Sequence, residues 1–282
     1  MRKLVLTVFV LAVVFQGITE INAQGNDRPL DGIVEREQMQ NRRPVPYPSI
    51  READIMWEKR VWRIIDLREK MNLPLYYPLE FQDDRYSLVG VLLHGIQYEG
   101  LPAYSTNDDE FRVRLSRDEV NEEMGATTEM TEVFDPDTEQ YETVEVQHDV
   151  RVDQVKQILV KEVWFFDRNY SRMDVRILGL CPIREYTNDA GDVLKRQTFW
   201  VNYPEARDVL ARYEVFNPVN DAQRRSFDDI FIKRYFDSYI VQESNVHDNR
   251  GIESYATGVD AILESERIRE EIFTFEHDLW EF

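Results

Sequence analysis

Residues 49–78, SIREADIMWEKRVWRIIDLREKMNLPLYYP, constrain the fold most, because they join a helix-start signal, an apolar period and a stop. Ser49 with Glu52 three residues on has the form of a capping box, in which each side chain serves a free backbone N–H of the first turn. Ala53, Trp57, Val61, Ile64 and Met71 recur at three-, four- and seven-residue intervals, the period of an amphipathic helix. Asn72 and Pro74 close it, since a proline ring cannot continue the hydrogen-bond ladder. The expectation is one long core helix that turns Trp57, Val61 and Ile64 inward.

The rest of the chain must supply something for that helix to pack on. With 282 residues, 43% of them hydrophobic and including 15 Phe, 14 Tyr and 5 Trp, it can bury a sizeable core. The formal charge of −20 repels phosphate backbones and anionic headgroups alike, which argues against nucleic acid as a partner, and the lack of any apolar span of 18 residues after residue 23 argues against direct membrane insertion.

Residues 1–23 have the layout of a secretory signal: Arg2 and Lys3, an apolar run over 4–15, and a polar region ending in Ile21-Asn22-Ala23. The run is too short to span about 30 Å of hydrocarbon as a helix, so cleavage is expected between Ala23 and Gln24. No cysteine stands near the end of this segment, so the chain is not expected to be itself a lipoprotein. Residues 24–48, with Pro29, Pro44, Pro46 and Pro48, form a linker, either a disordered tail or an arm that lies on a neighbouring subunit. A domain over 49–282 follows.

Within that domain a second helix is expected over 85–97, capped at Asp83-Asp84, with short strands over 101–105 and 110–115. Residues 129–147 read as a β-hairpin turning at Asp135-Pro136-Asp137. The spacing Asp135-x-Asp137-x-Glu139 imitates a calcium loop but fails. Gln140 stands where the sharp turn needs Gly, and Val146 where a bidentate Glu belongs. A short helix over 152–161 leads into a strand over 163–166. Strands over 173–185 and 193–201 then flank a turn at Asn188–Gly191. Pro204 opens a helix, Ser226 or an adjacent residue caps another that stays apolar on nearly all sides through Val241, and a last helix covers 259–279. Strands and helices without a βαβ rhythm imply a single α+β domain, long amphipathic helices packed on a mainly antiparallel sheet.

Chemistry-bearing motifs do not surface. His94 is one lone histidine, read as structural, and Cys181, the only cysteine, reads as a buried inert thiol. No Gly-rich phosphate loop, nucleophile elbow or zinc-binding helix motif is present, so no catalytic, cofactor or metal residue is assigned.

Two runs carry a family resemblance: WEKRVWRIIDLREKMNLPLYYP from Trp57, and FDDIFIKRYFDSYIVQESN from Phe227 to Asn245. Both resemble the GldN/PorN family of the gliding-motility and type IX secretion apparatus of Bacteroidetes, over about Ile50 into the 250s. The resemblance implies a periplasmic, non-enzymatic ring component. It would sit at the outer membrane through a GldK/PorK-like lipoprotein and meet a GldM/PorM-like stalk anchored in the inner membrane. Ile55 and Trp62, opposite the core arc on a helix, are covered either by a second layer of the domain or by a partner, and the resemblance favours the partner. Two other readings compete: a periplasmic hydrolase using paired carboxylates among the 54 acidic residues, and a module binding sugar or cell-wall polymer through its aromatics.

Overall fold

The computed structural model describes residue 39 and residues 41–279, apart from 83, 84, 127, 136–139, 148, 189 and 221, with backbone alone over 128–135 and 140–147. The expected signal segment and the Ala23–Gln24 junction lie outside the described residues.

The opening stretch is a strand. After one 3₁₀ turn at Glu52–Asp54, β1 runs over Ile55–Asp66, and no side chain caps that turn. Helix α1 follows at Leu73–Tyr76, then α2 at Leu88–His94, prolonged by a π-helical turn at Gly95–Glu99. Strands β2 (Ala103–Tyr104) and β3 (Arg114–Leu115) precede α3 (Arg117–Glu123) and the hairpin β4 (Thr128–Asp135) and β5 (Gln140–Gln147). Two long strands come next, β6 (Val155–Asp167) and β7 (Arg172–Thr187), then β8 (Val193–Gln197), β9 (Trp200–Asn202) and α4 (Tyr203–Leu210). The chain continues through β10 (Glu214–Val215), β11 (Arg225–Ser226), α5 (Phe227–Ile232), β12 (Tyr239–Glu243) and α6 (Val259–Asp278).

The main sheet is antiparallel throughout, in the order β12-β1-β6-β7-β9-β2-β3, with β8 paired to β7. Helices α2, α4 and α5 cover one face over a core that includes Ile65, Leu92, Ile158, Leu180, Phe199 and Phe231. On the opposite face a smaller cluster gathers Trp62, Leu159, Cys181 and Trp200. Helix α6 closes the β12 edge, where Ile240 donates its N–H to Ser265 Oγ at 3.0 Å. A free strand edge is thereby blunted by a helix.

The α+β reading with an antiparallel sheet therefore holds, and α6 runs where the last helix was expected. The other helices are shorter, and four assignments are corrected. The helix over 49–78 is β1 because Ile55, Trp57, Val61, Trp62, Ile64 and Ile65 are β-branched or aromatic, and β6 and β12 supply partners on both edges. The helix over 152–161 is the first half of β6, whose two covered faces make it apolar without alternation. The helix capped by Ser226 does carry a full capping box with Asp229, but it ends at Ile232. There Arg234 takes φ 54°, its N–H reaching Phe231 O and the Tyr235 N–H reaching Ile230 O. That is a Schellman stop, with arginine where glycine is usual. Finally, 193–201 is two strands, β8 and β9, interrupted where Thr198 donates to Pro182 O.

Candidate protein-interaction surface

A buried charge cluster lies where β1, β6 and the chain after α5 meet. Glu162 is fully buried on β6, beside Arg63 on β1. Its carboxylate accepts from Arg63 Nε at 2.5 Å, Arg234 Nη1 at 2.8 Å and the Trp164 indole N–H at 2.8 Å. Burial pulls the Arg63 guanidinium below its ordinary pKa, against the opposing pull of Glu162. One carboxylate thus holds two guanidiniums, and the unusual backbone at Arg234 is what brings its side chain there.

Above this cluster opens a groove of about 560 Å³, walled by Trp164, Phe236 and the side of α6 that carries Ile272, Phe273 and Glu276. Helix α6 has two faces. Ile268 and Ile272 are buried against Val61 and Ile240, and Phe275 stacks on Trp57 with ring centroids 4.6 Å apart. The opposite face leaves Val259, Ile262, Leu263 and Phe273 in solvent, at 71, 70, 62 and 67% exposure.

A second, more apolar groove of about 480 Å³ lies between α1 and the loop after β10, lined by Leu73, Pro74, Tyr77, Phe216 and Pro218.

The residues singled out in the sequence fall on both faces of β1. Trp57 is half-buried under α6, Val61 fully buried, and Ile64 packs on the other side with Trp62. Trp62 is only 4% exposed. Its indole donates to Asp109 Oδ2 at 2.9 Å, and Lys161 lies over its ring, itself bonded to Asp109 O at 2.7 Å. The domain's own loop after β2 supplies the cover, so the argument that Trp62 projects with Ile55 from a helix toward a partner lapses. Ile55 is half-buried at the start of β1 and pairs with Asp167 of β6.

The segment just before the domain is held by the body. Arg207 donates to Val45 O at 2.6 Å and lies 4.2 Å from the Tyr47 ring centroid, while Arg176 donates to Pro48 O at 2.5 Å. Arg42 pairs with Asp229 at 2.7 Å. Beneath this strap Arg207 and Tyr203 both bond the buried Asp228, and burial pushes the Tyr203 hydroxyl well above the usual tyrosine range. Residues 41–48 thus lie on their own chain.

His94 is structural in its surroundings: its Nδ1 meets Tyr213 OH at 2.9 Å, and burial raises that tyrosine to about 12. Cys181 is buried, and burial pushes its thiol far up. Among the described residues no group of three His, Cys, Asp or Glu is placed to hold a metal ion, and no helix is long and apolar enough to cross a membrane.

The sequence reading missed Glu162, Arg63 and Arg234. One signal was present: Lys161-Glu162 interrupts the apolar run ILVKEVWFF, and a charge inside such a run needs a buried counter-charge. The outward α6 face was equally visible in the spacing of Val259, Ile262, Leu263 and Phe273.

Compared with known proteins, residues 50–281 match the family model described as gliding motility associated protein GldN. No curated protein matches the chain.

Proposed function

The chain belongs to the GldN family, a component of the gliding-motility and type IX secretion apparatus, and on that premise we propose that it is a non-catalytic structural subunit of the machine. It works in the periplasm, self-associates in a ring, and is held at the outer membrane by a GldK/PorK-like lipoprotein. A GldM/PorM-like stalk anchored in the inner membrane contacts it from below. The family match carries this reading, because it spans residues 50–281 rather than one motif. The fate of the buried charges agrees with it. Glu162 and Asp228 are consumed by arginines and tyrosine of the same chain, which is how a scaffold uses charge.

Affinity isolation from detergent-solubilised envelope, followed by particle imaging, tests the proposal. Ring-like particles containing the lipoprotein are expected. Recovery of a partner-free monomer from envelopes that still secrete would overturn it.

A further inference from the structure

We propose that the outward face of α6, with the groove beside it, docks an amphipathic helix of another protein whose apolar stripe is flanked by Lys and Arg. The proposal rests on the structural-subunit reading and adds the chemistry of one contact.

At 100° per residue Val259, Ile262, Leu263, Glu266, Glu270 and Phe273 fall on one side of α6, opposite Ile268 and Ile272. From Val259 to Phe273 this stripe is about 21 Å long at 1.5 Å per residue. One exposed leucine needs no explanation, but four large apolar side chains on one helix face, each more than 60% exposed, three in its first turns and Phe273 beyond Glu266 and Glu270, mark a surface that something covers. The groove continues the stripe sideways. Phe273 belongs to both, and Phe236 and Ile272 give the groove an apolar wall able to take one side chain.

Charge selects the occupant. Helix α6 carries Asp260, Glu264, Glu266, Glu270, Glu271, Glu276 and Asp278 against only Arg267 and Arg269. Arg267 is committed to Glu264 and Glu271, and Arg269 to Glu266. Glu270 and Glu276, both on the groove, have no cation at ion-pair distance among the described residues. At the groove floor Arg63 and Arg234 turn toward Glu162. A second copy of α6 would bring the same carboxylates against Glu266 and Glu270, and two chains of charge −20 repel each other. An anionic lipid surface meets the same objection. A helix with Lys and Arg beside its leucines satisfies both the stripe and the carboxylates, and apolar anchors inside a charged rim are the usual form of helix-in-groove recognition.

The test uses the purified full chain and two fluorescent synthetic helices of about 18 residues, a length that covers the stripe at 1.5 Å per residue. One peptide flanks its Leu stripe with Lys and Arg, the other with Glu. The basic peptide is expected to bind, more weakly as salt rises, and the acidic one not to bind. The charge-preserving double variant Leu263→Gln/Phe273→Gln is expected to weaken binding about tenfold or more with the thermal midpoint unchanged. Equal binding by the double variant would overturn the proposal, since the peptide would then be reading acidic surface anywhere on the chain. Sedimentation of the parent as a dimer that the variant abolishes would overturn it too, by showing a second copy on the stripe. In native cells, a photo-crosslinker at Ile262 is expected to mark a basic amphipathic segment of another protein. Crosslinks to another copy or to lipid would refute the assignment while leaving the structural-subunit reading intact.

Discussion

Changing Glu162 to Gln should destabilise the domain more than any other isosteric carboxylate change among the described residues. The side chain is fully buried, and its two oxygens are shared by Arg63, Arg234 and the Trp164 indole. Glutamine keeps the volume and one acceptor, so the cost is electrostatic: two guanidiniums lose their common counter-charge, and the new NH₂ faces a donor. Breaking a buried pair from one side costs about 3–5 kcal/mol. Arg234 is partly solvated, which favours the lower end, about 3 kcal/mol. At about 2–4 °C per kcal/mol for chains of this size, the thermal midpoint should fall by about 6–12 °C. Urea unfolding read by far-UV circular dichroism gives the free energy directly. The triple variant Arg63→Met/Glu162→Leu/Arg234→Leu should recover most of the loss, because an apolar cluster of similar volume needs no counter-charge. A loss below about 1 kcal/mol for the single variant, or a triple variant as unstable as the single one, would refute this account of the cluster.

Trp62→Ala should cost about 3–5 kcal/mol in the isolated chain, since it opens a cavity beside Trp200 and removes one donor from Asp109, which keeps Lys161 at 3.1 Å; urea unfolding checks it. Tyr47→Ala should free the strap for about 1–2 kcal/mol, seen as faster trypsin cleavage after Arg42 with the domain intact. Asp66 is held down to about 2 by its hydrogen bonds with Arg68. A depressed carboxylate stabilises above its unfolded pKa, and the gain disappears as pH falls through the folded value. Asp66→Asn should therefore cost about 1 kcal/mol at pH 7, solvent around Arg68 limiting the effect. The difference should shrink between pH 4 and pH 2, which parallel denaturation curves would resolve.

How much of this was legible depends on the arithmetic of periods. Trp57 and Val61 are four apart, an interval that keeps two residues together on a helix and on a strand alike, so their common face survives the change from helix to β1. Ile64 lies three from Val61, and Ile55 seven from Trp62. Odd intervals separate on a strand what a helix unites, and Ile64 accordingly packs with Trp62. Some local signals with their own chemistry were reliable, namely the cap near Ser226, the proline opening α4 and the hairpin pairing over 129–147, whereas the capping box read at Ser49 and Glu52 does not form. The candidate surface was harder to see. Glu162 meets Arg63 at a separation of 99 residues and Arg234 at 72, and no window of sequence joins them. The end of α5 was hidden because arginine, not glycine, takes the left-handed position.

The pairing of β1 also sets a timetable. Arg63 lies opposite Val160 on one side and Ile240 on the other, so the first long strand to be synthesised receives its neighbours from the middle and near the end of the chain. Synthesis proceeds from the N-terminus at about 5–20 residues per second, so β1 waits about 10–35 seconds for β12, and that ladder stays open even after β6 has been made. An extended, aromatic segment left in that state is a template for pairing with another chain. The native sheet therefore closes late, by a contact of high sequence separation, and the nascent protein needs shelter until β12 and α6 have arrived.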